Sequence, residues 1–213
     1  MLRMGHNQRE EDLNLGLGWL YYGLARLVRP RQAVIIGSWR GFVPLVIAKA
    51  CHDNLERCAV NFIDPSLADD FWKDEATTQA HFRSFGLDNV RHHLHTTQEF
   101  VTTPEYQSLT DLGLIFIDGY HTAEQARFDY EAFADRLALR GLVLFHDSMI
   151  LRPSPIYGHD RLYDVDVKHY MDELRRDPGL QLLDLPFGTG LTVLRKVDGA
   201  HGEVLSTGPQ GRV

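Results

Sequence analysis

Of 213 residues only two are cysteines, Cys51 and Cys58, and no CxxC pair occurs. Neither a disulfide framework nor a cysteine-rich zinc site can be built from them, which points to a reducing, cytoplasmic setting. Long apolar runs are missing too: nothing approaches the roughly eighteen residues a bilayer crossing needs. The N-terminal stretch MLRMGHNQREEDLNLG lacks the apolar core of a signal peptide. The chain therefore reads as soluble and unexported. Positive charge is in short supply, with 22 bases against 29 acids, a formal net charge of −7, and no basic run longer than RPR at Arg29 to Arg31. Nucleic acid and anionic membranes are accordingly not expected as partners. The dinucleotide fingerprint GxGxxG is absent, which argues against a nicotinamide dehydrogenase. No internal repeat or linker is visible, and the length suits one domain.

What is present is an alternation of short apolar strands and helices. Leu13 to Val28 has apolar residues at helical spacing and stops at Pro30. QAVIIG is a β-branched strand ending on Gly37, and FVPLVIAKACHD is a helix whose Pro44 is tolerable only in the first turn. CAVNFIDPS is a second strand, DEATTQAHFRSFG a helix closed by Gly86, and NVRHHLHTT a third strand. LGLIFIDGYH and GLVLFHD are strands four and five, separated by the helix TAEQARFDYEAFADRLA. A loop from Leu151 to Gly158, a helix DVDVKHYMDELRRD and a closing antiparallel pair, LQLLDLPFG and GLTVLRKV, complete the order. Near-continuous apolar strands alternating with helices predict an α/β fold with a doubly wound, seven-stranded, mostly parallel sheet. Residues 13–197 are assigned to this domain, and residues 1–12 and 198–213, with little to bury, to flexible tails.

In a doubly wound sheet the ligand sits beyond the carboxyl ends of the strands. Those ends carry Gly37-Ser38-Trp39-Arg40-Gly41, Asp64-Pro65-Ser66, Thr96-Thr97-Gln98, Asp118-Gly119-Tyr120-His121 and His146-Asp147-Ser148. The glycines allow tight turns, and an acid ending strand two can accept hydrogen bonds from ribose hydroxyls. The cluster HHLH, His92 to His95, reads as solvated strand histidines, with metal binding as the competing reading. Asp129 reads as a solvated helix acid.

Together, VIIGSWRGF, NFIDPS, TTQEF, FIDGYH, GLVLFHDS and GTGLTVLRK resemble the class I S-adenosylmethionine-dependent methyltransferases over about residues 13 to 197. Within them the chain is most similar to the small-molecule O-methyltransferases of the catechol and macrocin type. The resemblance implies a cofactor site in which Gly37, Ser38 and Gly41 wrap the methionine part, Asp64 and Pro65 hold the ribose, and Thr97 and Gln98 contact adenine. Asp118, Gly119 and Tyr120 complete it. Ile35 stands where the family carries an acid, and Arg40 is an unusual loop residue placed to pair with a cofactor carboxylate.

The same resemblance implies the chemistry. Asp118 and Asp147 close strands that lie side by side in this family, about 4.8 Å apart, a geometry suited to a divalent metal, Mg²⁺ first and Mn²⁺ or another ion next. His146 is a candidate third ligand, and Ser148 replaces the family's Asn. His121 occupies the place of the base that takes the acceptor's proton, with Asp118 assisting, and imidazole suits such work near neutral pH. A small-molecule acceptor is the expected partner, walled by Trp19, Tyr21 and Tyr22, by the segment Asp69 to Asp74 with Phe71 and Trp72, and by the loop carrying Tyr157 and Tyr163. Three alternatives stay open: a metal-free N- or O-methyltransferase, a non-catalytic subunit retaining the fold, and a homodimeric assembly.

Overall fold

The computed structural model describes residues 16–68, 70–155 and 162–197. Both assigned tails, the helix start at Leu13, Asp69 and Tyr157 lie outside these residues. The elements run α1 (Gly18–Val28), β1 (Gln32–Ile36), α2 (Phe42–His52), β2 (Ala59–Ile63), α3 (Glu75–Ser84), β3 (Val90–His93), α4 (Thr97–Phe100), α5 (Pro104–Gln107) and β4 (Leu112–Ile117). They continue with α6 (Ala123–Ala134), β5 (Leu137–His146), β6 (Arg152–Pro155), β7 (Leu162–Val165), α7 (Val167–Leu174), β8 (Leu180–Leu185) and β9 (Leu191–Lys196). Seven strands form one sheet in the order β3-β2-β1-β4-β5-β9-β8, parallel from β3 through β5, with β9 antiparallel to both β5 and β8. The strand order reverses between β1 and β4, which places a crevice at the carboxyl ends of those two strands.

Alternation along each strand feeds two cores. Ile35, Phe62, Phe116 and Leu144 pack against Tyr21 of α1, Val46 of α2 and Phe82 of α3. Ile36, Ile63, Ile117 and Phe145 pack on the opposite face against Tyr130 and Phe133 of α6 and Met171 of α7. Helices thus cover both faces, as the near-continuous apolar strands require. Among the described residues no helix is long and apolar enough to cross a membrane.

Three segments and one side chain differ from the sequence-based expectation. The segment after β3 folds into α4, because Thr96 and Glu99 form a reciprocal capping box. Helix α6 ends at Ala134, earlier than its apolar pattern suggests, because buried Leu137 pairs with Leu112 of β4 and begins a ten-residue strand. The expected loop after β5 contains β6, and its antiparallel partner β7 takes Asp164 and Val165 from the expected helix. Trp72 is not a pocket wall: it is 2% exposed and packs on Phe62 and Phe82.

The histidine cluster is divided by the strand period. His92 lies against Phe62 with Nε2 2.9 Å from the Asp64 carbonyl, whereas His93 lies against Phe100 with Nε2 3.1 Å from Asn61 Oδ1. They are half-buried rather than solvated. Burial lowers the His93 pKa to about 4. Between that value and the ~6.5 of an unfolded chain, the unfolded state binds a proton that the folded state refuses. Stability is therefore full above about pH 6.5 and lost as pH falls toward 4. In thermal melts, His93→Gln should show a shallower fall in Tm over this window than the wild type; parallel curves would assign the fall to other groups.

Candidate active site

The crevice is shaped first by backbone. Gly37 has φ +69°, and a Cβ there would stand 2.3 Å from the Asp118 carbonyl oxygen and 2.6 Å from Gly119 Cα. Only glycine lets the ends of β1 and β4 approach this closely. Gly41, φ +76°, caps α2 and lies against the Trp72 ring, where a Cβ would fall 2.5 Å from Cη2.

Asp64 is buried at the end of β2 and points across to this loop. Its Oδ2 accepts from the Ser38 amide (3.2 Å) and its Oδ1 from the Ser66 amide (2.7 Å). Two backbone amides thus fix the direction in which this carboxylate points. The Ser38 hydroxyl is buried with no hydrogen-bond partner among the described residues, as is that of Tyr21. Burial raises the Tyr21 pKa well above its usual value, and the charges of Asp118 and Asp147 add to the effect. Tyr21 therefore lies under the acidic end of the site rather than on a pocket wall.

The expected side-by-side pair of Asp118 and Asp147 is not what the register makes. Ile117 pairs with Phe145, so the next residues across the ladder are Asp118 and His146. His146 Nδ1 stands 2.9 Å from Asp118 Oδ1 and 3.3 Å from Asp147 Oδ1. Burial works to lower the imidazole pKa, but the charge and hydrogen bond of Asp118 and the charge of Asp147 outweigh it, raising the pKa to about 9. The two acids thus favour the protonated ring. Asp147 turns out of the strand with φ 52° and is held by Arg152 of β6 (3.2 Å) and by the Thr189 hydroxyl. Ser148 is buried and hydrogen-bonded to Thr192 of β9 (2.8 Å), turned away from the acids.

These donors do not fit the expected metal centre. Ser148 is committed to Thr192, and among the described residues no group of three or more His, Cys, Asp or Glu is arranged to hold an ion. His121 faces the cluster, with Nε2 3.9 Å from Asp118 Oδ1 and Nδ1 3.9 Å from Asp147 Oδ2.

Along α6, a cavity of about 420 Å³ is lined by Gln98, Tyr120, Thr122, Gln125 and Phe128 together with the charged Glu124, Arg127 and Glu131. Tyr120 stacks on Tyr163 of β7, centroids 4.5 Å apart. Gln98 and Tyr120 thereby share one cavity, Thr97 and Gly119 both lie against Asp129, and Pro65 follows Asp64 at the end of β2. Other expected residues are placed differently. Asp129 is fully buried, not solvated. Tyr22 donates to Asp53 at the far end of α2 (2.8 Å), and the Arg40 guanidinium lies over the Phe71 ring (4.9 Å). Sequence reasoning missed Arg152 and Thr189: no motif marks them, and only the folding back of β6 and of the loop before β9 delivers them to Asp147.

Residues 34–148 match the model of a family described as a methyltransferase domain. No curated protein matches the chain. Among solved structures, the S-adenosylhomocysteine-bound methyltransferase PaMTH1 of Podospora anserina is 18% identical, with a TM-score of 0.63 over 87% of this chain and 79% of that one. The O-methyltransferase TomG of Streptomyces achromogenes, solved with S-adenosylmethionine, is 16% identical, with a TM-score of 0.63 over 92% and 88%. An O-methyltransferase of Bacillus cereus, in complex with S-adenosylhomocysteine, is 14% identical, with a TM-score of 0.63 over 90% and 83%. At such identities the likeness is one of fold.

Proposed function

The chain belongs to the methyltransferase-domain family, and from that premise we propose that it transfers a methyl group from S-adenosylmethionine to a hydroxyl of a small molecule. The observation that carries the cofactor is the cradle at the β1 and β2 ends: the tight Gly37 turn, the unpartnered Ser38 hydroxyl, and Asp64 aimed by two amides. S-adenosylmethionine supplies, when bound, an electrophilic methyl on a positively charged sulfur. Gly37, Ser38 and Gly41 would hold its amino-acid end, and Asp64 and Pro65 the ribose. Thr97, Gln98, Gly119 and Tyr120 would hold the base.

The acceptor hydroxyl must lose its proton as it attacks. His121 would take it, because its ring faces Asp118 and Asp147, and two carboxylates stabilise the imidazolium so formed. His146, set between the two acids, and Arg152 beside Asp147 would balance their charge without a metal. That His146–Asp118 contact is the observation favouring metal-free transfer over the metal-assisted form.

Calorimetry with S-adenosylhomocysteine should show one site per chain, and Asp64→Ala should weaken it at least about tenfold, a charge-assisted hydrogen bond being worth roughly 1.5–3 kcal/mol. Absence of binding at millimolar ligand would remove the cofactor assignment. Methyl transfer to a hydroxylated acceptor should survive exhaustive chelation. Loss of activity restored by Mg²⁺ or Mn²⁺ would instead mean that the His146 proton yields to a metal held by Asp118, His146 and Asp147.

A further inference from the structure

Asp129 is an acid with no exposed surface, on the inner face of α6, and its Oδ2 lies 3.5 Å from where a side chain on Gly119 would begin. Burial raises its pKa to about 6, while the Thr97 and Gln125 side chains favour the charged form. Nothing in the proposed transfer uses it, yet it anchors a chain of polar contacts leading to the cavity. Gln125 Nε2 donates to Asp129 Oδ1 at 2.8 Å, and Gln98 Nε2 donates to Gln125 Oε1 at 2.8 Å.

The polarity of this chain follows from its buried end. A primary amide can point either end at a neighbour, but an ionised carboxylate only accepts. Gln125 must therefore turn its NH₂ toward Asp129 and its carbonyl away. That carbonyl also only accepts, so Gln98 must turn its own NH₂ toward Gln125. The carbonyl oxygen of Gln98 is left on the opposite side of its amide, and Gln98 lines the cavity beside the Tyr120 ring. A flat ring next to a fixed acceptor suits a planar base that presents an N–H.

We infer that Asp129 and Gln125 are positioning residues that fix Gln98 as a hydrogen-bond acceptor, so that the cavity selects a purine carrying an exocyclic amino group over one carrying a carbonyl there. The inference rests on the reading that this cavity takes the base of S-adenosylmethionine. Hypoxanthine, with oxygen in place of the adenine amino group, would set two acceptors against each other.

The test compares S-adenosylhomocysteine with S-inosylhomocysteine by calorimetry, alongside a thermal melt of each variant. The wild type should prefer the adenine compound by about tenfold, the usual consequence of exchanging one hydrogen bond for two opposed acceptors at a site open to water. Asp129→Asn, nearly isosteric, frees both amides to reverse and should shrink the preference to about threefold or less. Adding Gln125→Glu restores an acceptor-only link, since a carboxylate at position 125 would accept both from the amide introduced at position 129 and from Gln98, and the preference should return. A merely structural role for Asp129 would not be rescued in this way. Should Asp129→Asn fail to fold, Gln125→Ala removes the middle link from a half-buried position and must narrow the preference alike. Equal wild-type affinities, an undiminished preference in a folded single variant, or a double variant that does not recover would each overturn the relay while the cofactor site stands. If the wild type bound neither compound, the assignment of the cavity would fall, and the relay with it.

Discussion

His121→Ala should lower turnover by roughly 10²–10⁴, the range over which a positioned general base contributes, while S-adenosylhomocysteine affinity stays nearly unchanged. The asymmetry follows from position. His121 stands at the acid end of the crevice, 3.9 Å from Asp118 and from Asp147, and is not among the residues lining the cavity at Gln98 and Tyr120. Single-turnover methyl transfer, measured with cofactor in excess, separates the chemical step from binding. The pH profile gives a second reading: the limb that reports deprotonation of the base should disappear in the variant. Unchanged turnover would take His121 out of the mechanism and leave the two carboxylates as candidates.

Gly37→Ala should be strongly damaging for so small a substitution. The added methyl would meet backbone on both sides, at Asp118 and Gly119, and backbone cannot rotate away as a side chain can. The residue also needs φ +69°, a region alanine disfavours. A loss of about 3 kcal/mol or more is expected, equivalent to a Tm decrease on the order of 6–12 °C for a domain of this size, with cofactor binding lost because β1 and β4 are forced apart. Gly23→Ala is the control. Gly23 lies within α1 with nothing near its missing side chain, so alanine there should add roughly 0.5–1 kcal/mol through helix propensity alone. A wild-type Tm for Gly37→Ala would show that the strand ends relax freely, and the crevice argument would fail.

Much of the fold was legible because it depends on local periodicity. Five strands alternating with helices, the turn glycine at Gly37, and acids or amides at the strand ends are visible as patterns within a few residues. The early end of α6 was not visible, because Leu137 continues an apolar helical pattern and is claimed by Leu112 only once β4 and β5 pair. The capping box at Thr96 and Glu99 was a local signal, and a scan for T-x-x-E would have found α4.

The residue types at the site were likewise present in the sequence, but their pairing was not. Whether Asp118 meets Asp147 or His146 turns on a register of one residue, and in a strand one residue reverses which face a side chain occupies. Residue order alone was enough to gather acids and histidines where β4 and β5 end. It took the packed fold to stand a buried imidazole against both acids, to bring Arg152 to Asp147 from the antiparallel pair of β6 and β7, and to bury Asp129 beneath Gly119. The physical reason is the same in each case: burial and long-range pairing are properties of where segments meet, and no local pattern of apolar and polar residues encodes them.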